Sequence, residues 1–268
     1  MVAGPPLSPG PVPQVLQRVG AGRPLTAVWE NEAGGLTYRV DGSTEPELFV
    51  KWAPSGSGLD LAAEAVRLSW AASYAPVPRV QELGGDDSGE WLVTRALPGR
   101  SAVDPAWVAR PEAAVSALGA GLRMLHDRLP VDACPFGWSA GERVVTARWL
   151  VAAGTRADPT GWNVEHRGLV LEEVMAALAD PPPTDRLVVC HGDACAPNTL
   201  LDDGGHVAGH VDLGALGVAD RWADLAVATW STQWNYGSGW EGLLLDSYGI
   251  EADAERTRYY RLLWDLGP

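Results

Sequence analysis

The chain of 268 residues, with 46% hydrophobic and 20% charged residues, has the length and composition of a globular protein with one large domain or two lobes. Its formal net charge of −14 argues against nucleic-acid binding, which needs a basic surface. No apolar run is long enough to span a membrane, no secretory signal opens the chain, and the three cysteines lack a metal or disulfide spacing, so we expect a cytoplasmic protein without a nucleic-acid or membrane partner.

The N-terminal part of the chain predicts several strands and one helix. The predicted strands cover residues 26–29, 36–40, 47–52 and 91–94, and the predicted helix covers residues 59–72. Glu64 falls on the apolar stripe of that helix, where a carboxylate is costly unless a cation meets it. Lys51 is the only lysine of the chain and the predicted partner, and a surface position of Glu64 is the alternative.

Pro98-Gly99 breaks the chain soon after the last of these strands, and helical patterns dominate beyond it. The predicted helices cover about residues 105–128, 142–153, 168–180, 220–234, 238–248 and 251–265. We therefore expect an α+β protein with a small β-rich N-terminal lobe, residues 1–94, and a larger, mostly helical C-terminal lobe, residues 95–268.

The strongest chemical signal lies in residues 187–214. A predicted buried strand ends at a polar loop with Asp193 and Asn198, and a predicted hairpin then leads into Asp212-Leu213-Gly214. Two carboxylates and an amide oxygen suit Mg²⁺ and the activation of a hydroxyl. Turn and cap roles for the aspartates are the alternative. The order HGD, Asn five residues after the Asp, then Asp-x-Gly matches the spacing of a kinase catalytic loop and its metal-binding motif.

Nearly the full chain resembles the aminoglycoside 3′-phosphotransferases, antibiotic kinases with the protein-kinase fold. The segments that carry the resemblance include VKW, AAEAVRLSW, VCHGDACAPN, GHVDLGALGVADRWADLAVAT and YYRLLWD. The resemblance implies a bilobal protein-kinase-like fold, with a nucleotide-binding N-terminal lobe and a catalytic, acceptor-binding C-terminal lobe. It implies a kinase that uses ATP or GTP with Mg²⁺ and acts as a monomer or weak homodimer on a small-molecule antibiotic.

The resemblance also implies roles for individual residues. Lys51, oriented by Glu64, would hold the α- and β-phosphates of the nucleotide. Asn198 and Asp212 would ligate Mg²⁺, and Asp193 would orient the acceptor hydroxyl and accept its proton. Further nucleotide contacts would come from the hinge backbone and from the phosphate loop, at Thr94, Ala96, Gly34 and Gly35.

Three departures from the family pattern affect the predicted ligand contacts. The phosphate loop has Ala33 where the family usually has serine, so backbone N–H groups would do more of the phosphate binding. Ala215 replaces an arginine after the DLG sequence, and the next helix reads TWSTQW, residues 229–234, where charged residues are usual. The C-terminus keeps only Asp265 of two adjacent acids, and the segment near 158–166 is also poor in acids.

These changes remove negative charge and add flat apolar side chains, which favours a neutral or weakly charged acceptor such as a capuramycin-type nucleoside antibiotic. The predicted acceptor-binding residues are Trp230, Ser231, Trp234, Glu165 and Asp265. In the alternative, the tryptophans pack in the core and acids such as Glu165, Asp158, Asp265 and Glu241 bind an aminoglycoside such as kanamycin or neomycin. A nucleotide-binding pseudokinase is a further alternative, against which the complete set of catalytic groups argues.

Overall fold

The computed structural model describes residues 4–6, 8, 10–31, 33–41, 46–154 and 162–267. Asp158, one of the acids considered for aminoglycoside binding, lies outside these residues. The chain divides into two compact units, Met1–Pro98 and Gly99–Pro268. Within the described part of the chain, no helix is both long enough and apolar enough to cross a membrane.

The N-terminal unit is built on one antiparallel sheet with the strand order β1-β2-β3-β5-β4. Its strands are β1 (Leu25–Glu30), β2 (Leu36–Asp41), β3 (Pro46–Pro54), β4 (Arg79–Asp86) and β5 (Gly89–Arg95), and its helices are α1 (Gln14–Val19) and α2 (Leu61–Ala71). One face of the sheet packs with α1, where Leu16, Tyr38, Val40 and Val50 are fully buried. The sequence analysis did not predict α1 or β4.

The C-terminal unit is mostly helical, as predicted. Its helices are α3 (Pro105–Val108), α4 (Pro111–Arg128), α5 (Ala140–Ala152), α6 (Leu171–Ala177), α7 (Trp222–Tyr236), α8 (Glu241–Tyr248) and α9 (Ala254–Asp265). Short strands form one sheet of β6 (Arg100–Ser101), β8 (Thr199–Leu201) and β9 (Val207–His210), and a second of β7 (Leu187–Cys190) and β10 (Gly217–Asp220). The hairpin predicted around Asp202–Gly205 is the antiparallel pair β8–β9.

Helix α7 lies at the centre of this unit. Every residue from Trp222 to Thr232 is buried, which is typical of a helix that is apolar on all sides. The helix contacts α4, α8, α9 and the 3-10 turn Ala196–Asn198 of the polar loop. Helix α7 therefore packs directly against that loop.

Candidate active site

The polar loop begins where the buried strand β7 ends. Gly192, the second residue after the strand, has a backbone φ of +85°. A Cβ atom at this position would lie 2.2 Å from the carbonyl oxygen of Ala215. Only glycine fits this close approach, which packs the loop before Asp193 against the segment that follows Asp212.

Asp193 and Asn198 are joined by hydrogen bonds within the loop. The Asn198 side-chain amide donates to the backbone carbonyl of Asp193 at 3.0 Å and to its Oδ2 atom at 2.9 Å. Asp193 Oδ1 is buried and accepts no hydrogen bond from the described residues. Since the amide nitrogen of Asn198 is directed at Asp193, the Oδ1 atom of Asn198 is the side-chain atom that could bind a cation.

The electrostatics of Asp193 are those of a base. Burial raises the pKa of the Asp193 carboxyl, and the nearby negative charge of Asp212 raises it further. A raised pKa makes the carboxylate a stronger proton acceptor, and the unpaired Oδ1 atom offers it a place to receive one.

Asp212 has an unusual backbone conformation directly after β9. Its φ of +64° lies in the left-handed region, which non-glycine residues enter uncommonly, although aspartate tolerates it better than most. Such a conformation costs of order 1–3 kcal/mol and persists where the surrounding structure enforces it. The backbone conformation of Asp212 is thus set by the surrounding fold.

His191 connects the loop to the strand that leads to Asp212. Its Nδ1 atom accepts from the backbone N–H of Asp193 at 3.2 Å, so Nε2 carries the proton and donates to the carbonyl of Val211 at 3.0 Å. The imidazole therefore connects the backbone of Asp193 to that of Val211, the residue before Asp212.

Asp224, on α7, anchors the same loop and was not predicted from the sequence. Its buried carboxylate accepts from the backbone N–H groups of His191 at 2.6 Å and Gly192 at 2.9 Å, and it pairs with His126 Nε2 at 2.9 Å. Burial on its own opposes ionisation, but the hydrogen bond and charge of His126 and the His191 contacts lower the pKa of Asp224 overall. The sequence does hold a signal for Asp224, because it is a carboxylate within the mostly apolar sequence of α7. Such a carboxylate needs a hydrogen-bond or charge partner, which is the same reasoning that paired Glu64 with Lys51.

The predicted ion pair of the N-terminal unit is present. Lys51 Nζ lies 2.8 Å from both carboxylate oxygens of Glu64. The Glu64 side chain is 6% exposed and that of Lys51 is 25% exposed. The alternative of a surface position for Glu64 is therefore wrong.

The phosphate-loop N–H groups are all bonded to one residue, Asn31, through its side-chain oxygen and its backbone carbonyl. Asn31 Oδ1 accepts from the backbone N–H of Ala33 at 3.1 Å and of Gly35 at 2.8 Å. The N–H of Gly34 donates to the Asn31 carbonyl at 3.1 Å. This Asx turn satisfies all three donors within the loop.

The hinge residues are held in the sheet. Thr94 lies in β5 opposite Phe49 and Val80, and the backbone N–H of Ala96 donates to the carbonyl of Glu47 at 3.0 Å. The Ala96 N–H is therefore engaged within this unit, and an adenine contact through the Ala96 backbone stays a prediction.

The residues predicted to bind the acceptor separate into interior and exposed groups. Trp230 is 1% exposed and Ser231 is fully buried, where its hydroxyl accepts from the backbone N–H of Ala196 at 2.8 Å. These two residues support the catalytic loop and the core, which is the alternative considered for the tryptophans. Trp234 is 47% exposed, with its ring 5.4 Å from that of Trp230.

The two acids of this set have partners within the chain. Glu165 Oε1 accepts from the indole N–H of Trp230 at 3.2 Å, and its Oε2 lies 3.6 Å from the Arg261 guanidinium. Asp265 pairs with His166 and accepts from the backbone N–H of Asn163 at 3.2 Å. Both carboxylates are thus already bound to donors of the chain itself.

Comparison with known proteins agrees with this arrangement. Residues 26–261 match the model of the phosphotransferase enzyme family. The chain is 39% identical to an aminoglycoside 3′-phosphotransferase of Streptomyces fradiae, covering 88% of this chain and 92% of that protein.

Two solved structures are also similar over nearly the whole chain. The aminoglycoside 3′-phosphotransferase of type VIII is 35% identical with a TM-score of 0.82, covering 94% of this chain and 97% of that one. The aminoglycoside phosphotransferase APH(3″)-Id of Streptomyces rimosus, solved with ADP and streptomycin, is 31% identical with a TM-score of 0.75, covering 94% and 95%. The predicted bilobal, protein-kinase-like α+β fold is confirmed. The chain belongs to the phosphotransferase enzyme family, among the aminoglycoside-phosphotransferase-type kinases.

Proposed function

We propose that this protein transfers the γ-phosphoryl group of ATP to a sugar hydroxyl of an antibiotic, and that Asp193 is its general base. The observation that carries the proposal is the buried, unpaired Asp193 Oδ1 atom, in a loop where the other carboxylate oxygen is held by Asn198. A carboxylate with one oxygen held by Asn198 and the other without a hydrogen-bond partner can orient a hydroxyl and then remove its proton.

The transfer step follows from this assignment. The acceptor oxygen bonds to the γ-phosphorus while its proton moves to Asp193 Oδ1, and the bond from the γ-phosphorus to the bridging oxygen breaks to release ADP. Phosphoryl transfer depends mainly on positioning and charge neutralisation. His191 and Asp224 serve this step by holding the backbone on either side of Gly192 in place.

The residues around Asp193 fit a magnesium ion. Asn198 Oδ1 and the Asp212 carboxylate are hard oxygen donors of the kind that Mg²⁺ prefers. The Asn198 amide nitrogen is turned toward Asp193, so the orientation of the side chain favours its oxygen as a ligand. When bound, Mg²⁺ would neutralise phosphate charge.

Lys51 and Glu64 are the proposed nucleotide-binding pair. The bidentate contact fixes the ammonium group while leaving a quarter of the lysine side chain exposed. The further proposed nucleotide contacts are Thr94, Ala96, Gly34 and Gly35, and the loop N–H groups would have to leave Asn31 to reach a phosphate. The ADP complex of the Streptomyces rimosus neighbour supports use of an adenine nucleotide.

For the acceptor we propose a neutral or weakly charged antibiotic, of which a capuramycin-type nucleoside is the first to test. Trp234 presents an exposed flat ring, and Glu165 and Asp265 are bound to groups of the chain itself. Trp230 and Ser231 are interior residues and are not retained as acceptor contacts. The second candidate is an aminoglycoside such as kanamycin or neomycin, which the 39% identity to the Streptomyces fradiae enzyme favours.

The test is ADP release with Mg-ATP across kanamycin, neomycin, a capuramycin and a simple nucleoside. Turnover should require the acceptor and fall by about 10²–10⁴-fold in Asp193→Ala, the usual contribution of a general base. Binding of ATP to that variant should be nearly unchanged. Near-normal turnover by Asp193→Ala would overturn the role assigned to Asp193. If the wild-type protein binds ATP but releases no ADP with any of these acceptors, a pseudokinase would be favoured.

A further inference from the structure

Arg143, on α5, is a cation in the interior of the C-terminal unit. The residue is 3% exposed. Its Nε and Nη1 atoms are buried, and neither donates to any acceptor of the described residues. Burial lowers the pKa of the guanidinium to about 10, so the group stays charged at neutral pH. A buried charge of this kind is costly to the fold unless a counter-charge meets it.

Two acids near Arg143 are bonded to other groups. Glu142, its neighbour in sequence, accepts from the backbone N–H of Ser139 at 2.9 Å and from its hydroxyl at 2.7 Å. Asp224 acts on Arg143 through its charge, but both of its carboxylate oxygens accept hydrogen bonds from the polar loop. The other titratable groups that act on Arg143 are neutral at pH 7, because burial raises the pKa of each: Cys190, Tyr259 and Tyr260. No described residue therefore supplies the counter-charge by direct contact.

The Trp138 ring packs against Arg143 and adds a third unpaired donor. The guanidinium carbon lies 4.8 Å from the centre of that ring. Such a cation–π contact offsets only part of the cost of burying a charge. The indole Nε1 atom is itself buried and has no acceptor among the described residues. The unpaired N–H groups of the two side chains thus lie in one small region.

Strand β10 fixes the position of Trp138. The backbone N–H of Trp138 donates to the carbonyl of Val218 at 3.0 Å, and the N–H of Val218 donates to the carbonyl of Phe136 at 2.8 Å. Gly217 permits this close approach, since a Cβ atom there would lie 2.6 Å from the carbonyl oxygen of Gly137. Because β10 pairs with β7, the donors are attached to the sheet that leads into the polar loop.

We propose that Arg143 and Trp138 bind a small inorganic anion, with chloride as the probe, and that this anion stabilises the C-terminal unit. All three unpaired atoms are N–H donors, and an anion accepts hydrogen bonds while it balances the charge of the arginine. A water molecule would accept the same hydrogen bonds but would leave the charge unbalanced. The low exposure of Arg143 favours a monatomic ion over a larger anion such as sulfate.

The test measures thermal unfolding of the full-length protein at constant ionic strength, with chloride replacing gluconate, an anion too large for so enclosed a site. Because chloride would bind the folded state, about 0.1 M chloride should raise the Tm by about 2–4 °C. Bromide should act in the same way, and a crystal grown with bromide should show its anomalous signal beside Arg143 Nε and Trp138 Nε1. No nucleotide or acceptor is present, so the result does not depend on the proposed phosphotransferase reaction.

Variants of the two side chains locate the effect. Arg143→Met removes the charge at similar volume and should abolish the chloride-dependent rise in Tm. Arg148→Met, at an exposed position of the same helix, is the matched control and should keep that rise. If Arg143→Met does not fold, Trp138→Phe keeps a ring but loses the N–H, and should raise the chloride concentration at half-effect about fivefold.

Three results would overturn the proposal. A wild-type Tm that does not depend on chloride would mean that water alone meets these N–H groups. An equal rise in Arg143→Met and Arg148→Met would mean that chloride acts elsewhere. An unchanged half-effect concentration in Trp138→Phe would exclude a site shared by the two side chains.

Discussion

Replacement of Asp224 by asparagine tests the claim that a buried carboxylate positions the catalytic loop. Asp224 accepts two backbone N–H groups, one on each carboxylate oxygen, and pairs with His126. An asparagine has only one acceptor oxygen. Whichever way its amide is turned, an N–H group of His191 or Gly192 then faces an NH₂ donor and loses its partner.

The expected cost can be estimated from these contacts. A buried N–H without a partner costs about 1–3 kcal/mol, and a hydrogen bond to a charged group contributes about 1.5–3 kcal/mol. Because asparagine keeps one backbone hydrogen bond but loses the negative charge, we expect Asp224→Asn to lower the free energy of unfolding by about 3 kcal/mol. The loop before Asp193 should shift, and a displacement of about 1 Å is enough to lower kcat by about 100-fold.

The assay combines urea unfolding at pH 7, followed by tryptophan fluorescence, with steady-state kinetics for ATP. Asp185→Asn is the control, because Asp185 pairs with Arg221 at 2.6 Å but is 30% exposed and should matter by less than about 1 kcal/mol. Since the pKa of Asp224 is lowered in the fold, its contribution is complete above the unfolded value of about 3.9 and disappears as the pH falls through the folded pKa. The difference between Asp224→Asn and wild type should therefore shrink at acid pH.

Two results for Asp224→Asn would contradict these expectations. A variant with a loss of stability below about 1 kcal/mol and a normal kcat would mean that His191 and Gly192 do not depend on the carboxylate. Loss of stability with a normal kcat would mean that Asp224 supports the core and not the geometry of the loop.

Three further substitutions test other parts of the site. Asp193→Asn should abolish activity yet raise the free energy of unfolding of the metal-free protein at pH 7 by about 1–3 kcal/mol in urea titrations, because it removes a buried charge whose Oδ1 atom has no hydrogen-bond partner. The raised pKa of Asp193 acts in the same direction, since stability falls as the pH rises through the titration range of this carboxyl. Equal or lower stability of the variant would contradict this expectation. Asn31→Asp should keep the turn but add a negative charge. We expect the KM for ATP to rise about fivefold, which corresponds to roughly 1 kcal/mol, with kcat unchanged. An unchanged KM would mean that this loop does not contact the phosphates of ATP. Trp234→Ala should raise the KM for the acceptor about three- to tenfold through the lost ring contact, and should change the free energy of unfolding by less than about 0.5 kcal/mol. Trp149→Ala, which removes a 68% exposed tryptophan on α5, is the control and should leave that KM unchanged. An equal effect of both changes would refute a specific role for Trp234.

Short-range patterns were enough to predict the polar loop that carries the proposed catalytic residues. Asp193, Asn198 and Asp212 are separated by one loop and one hairpin, and a hairpin brings its ends together by local turn geometry alone. The pairing of Lys51 with Glu64 was also predictable, because a carboxylate on an apolar helix face needs a cation and the chain contains a single lysine. In both cases, the chemistry of a few residues close in sequence was enough to predict the local arrangement.

Packing between distant segments decided what the sequence left open. Asp224 lies 33 residues from His191, and only the position of α7 beneath the loop brings its carboxylate to that backbone. The composition of α7 is equally compatible with Trp230 in a ligand pocket or in the core. Trp230 is 1% exposed and packs against Arg261 and Trp234, which places it in the core, whereas Trp234 is 47% exposed.

The charge of the acceptor-binding acids was decided in the same way. The sequence counts Glu165 and Glu241 as two negative charges, but Arg261 belongs to a different helix and meets both only in the folded unit. The sequence alone predicted the proposed reaction, because the residues assigned to it lie on one short segment. The tertiary structure decided which charged groups lie beside one another around Glu165 and Glu241, because the net charge of a surface depends on which segments pack together there.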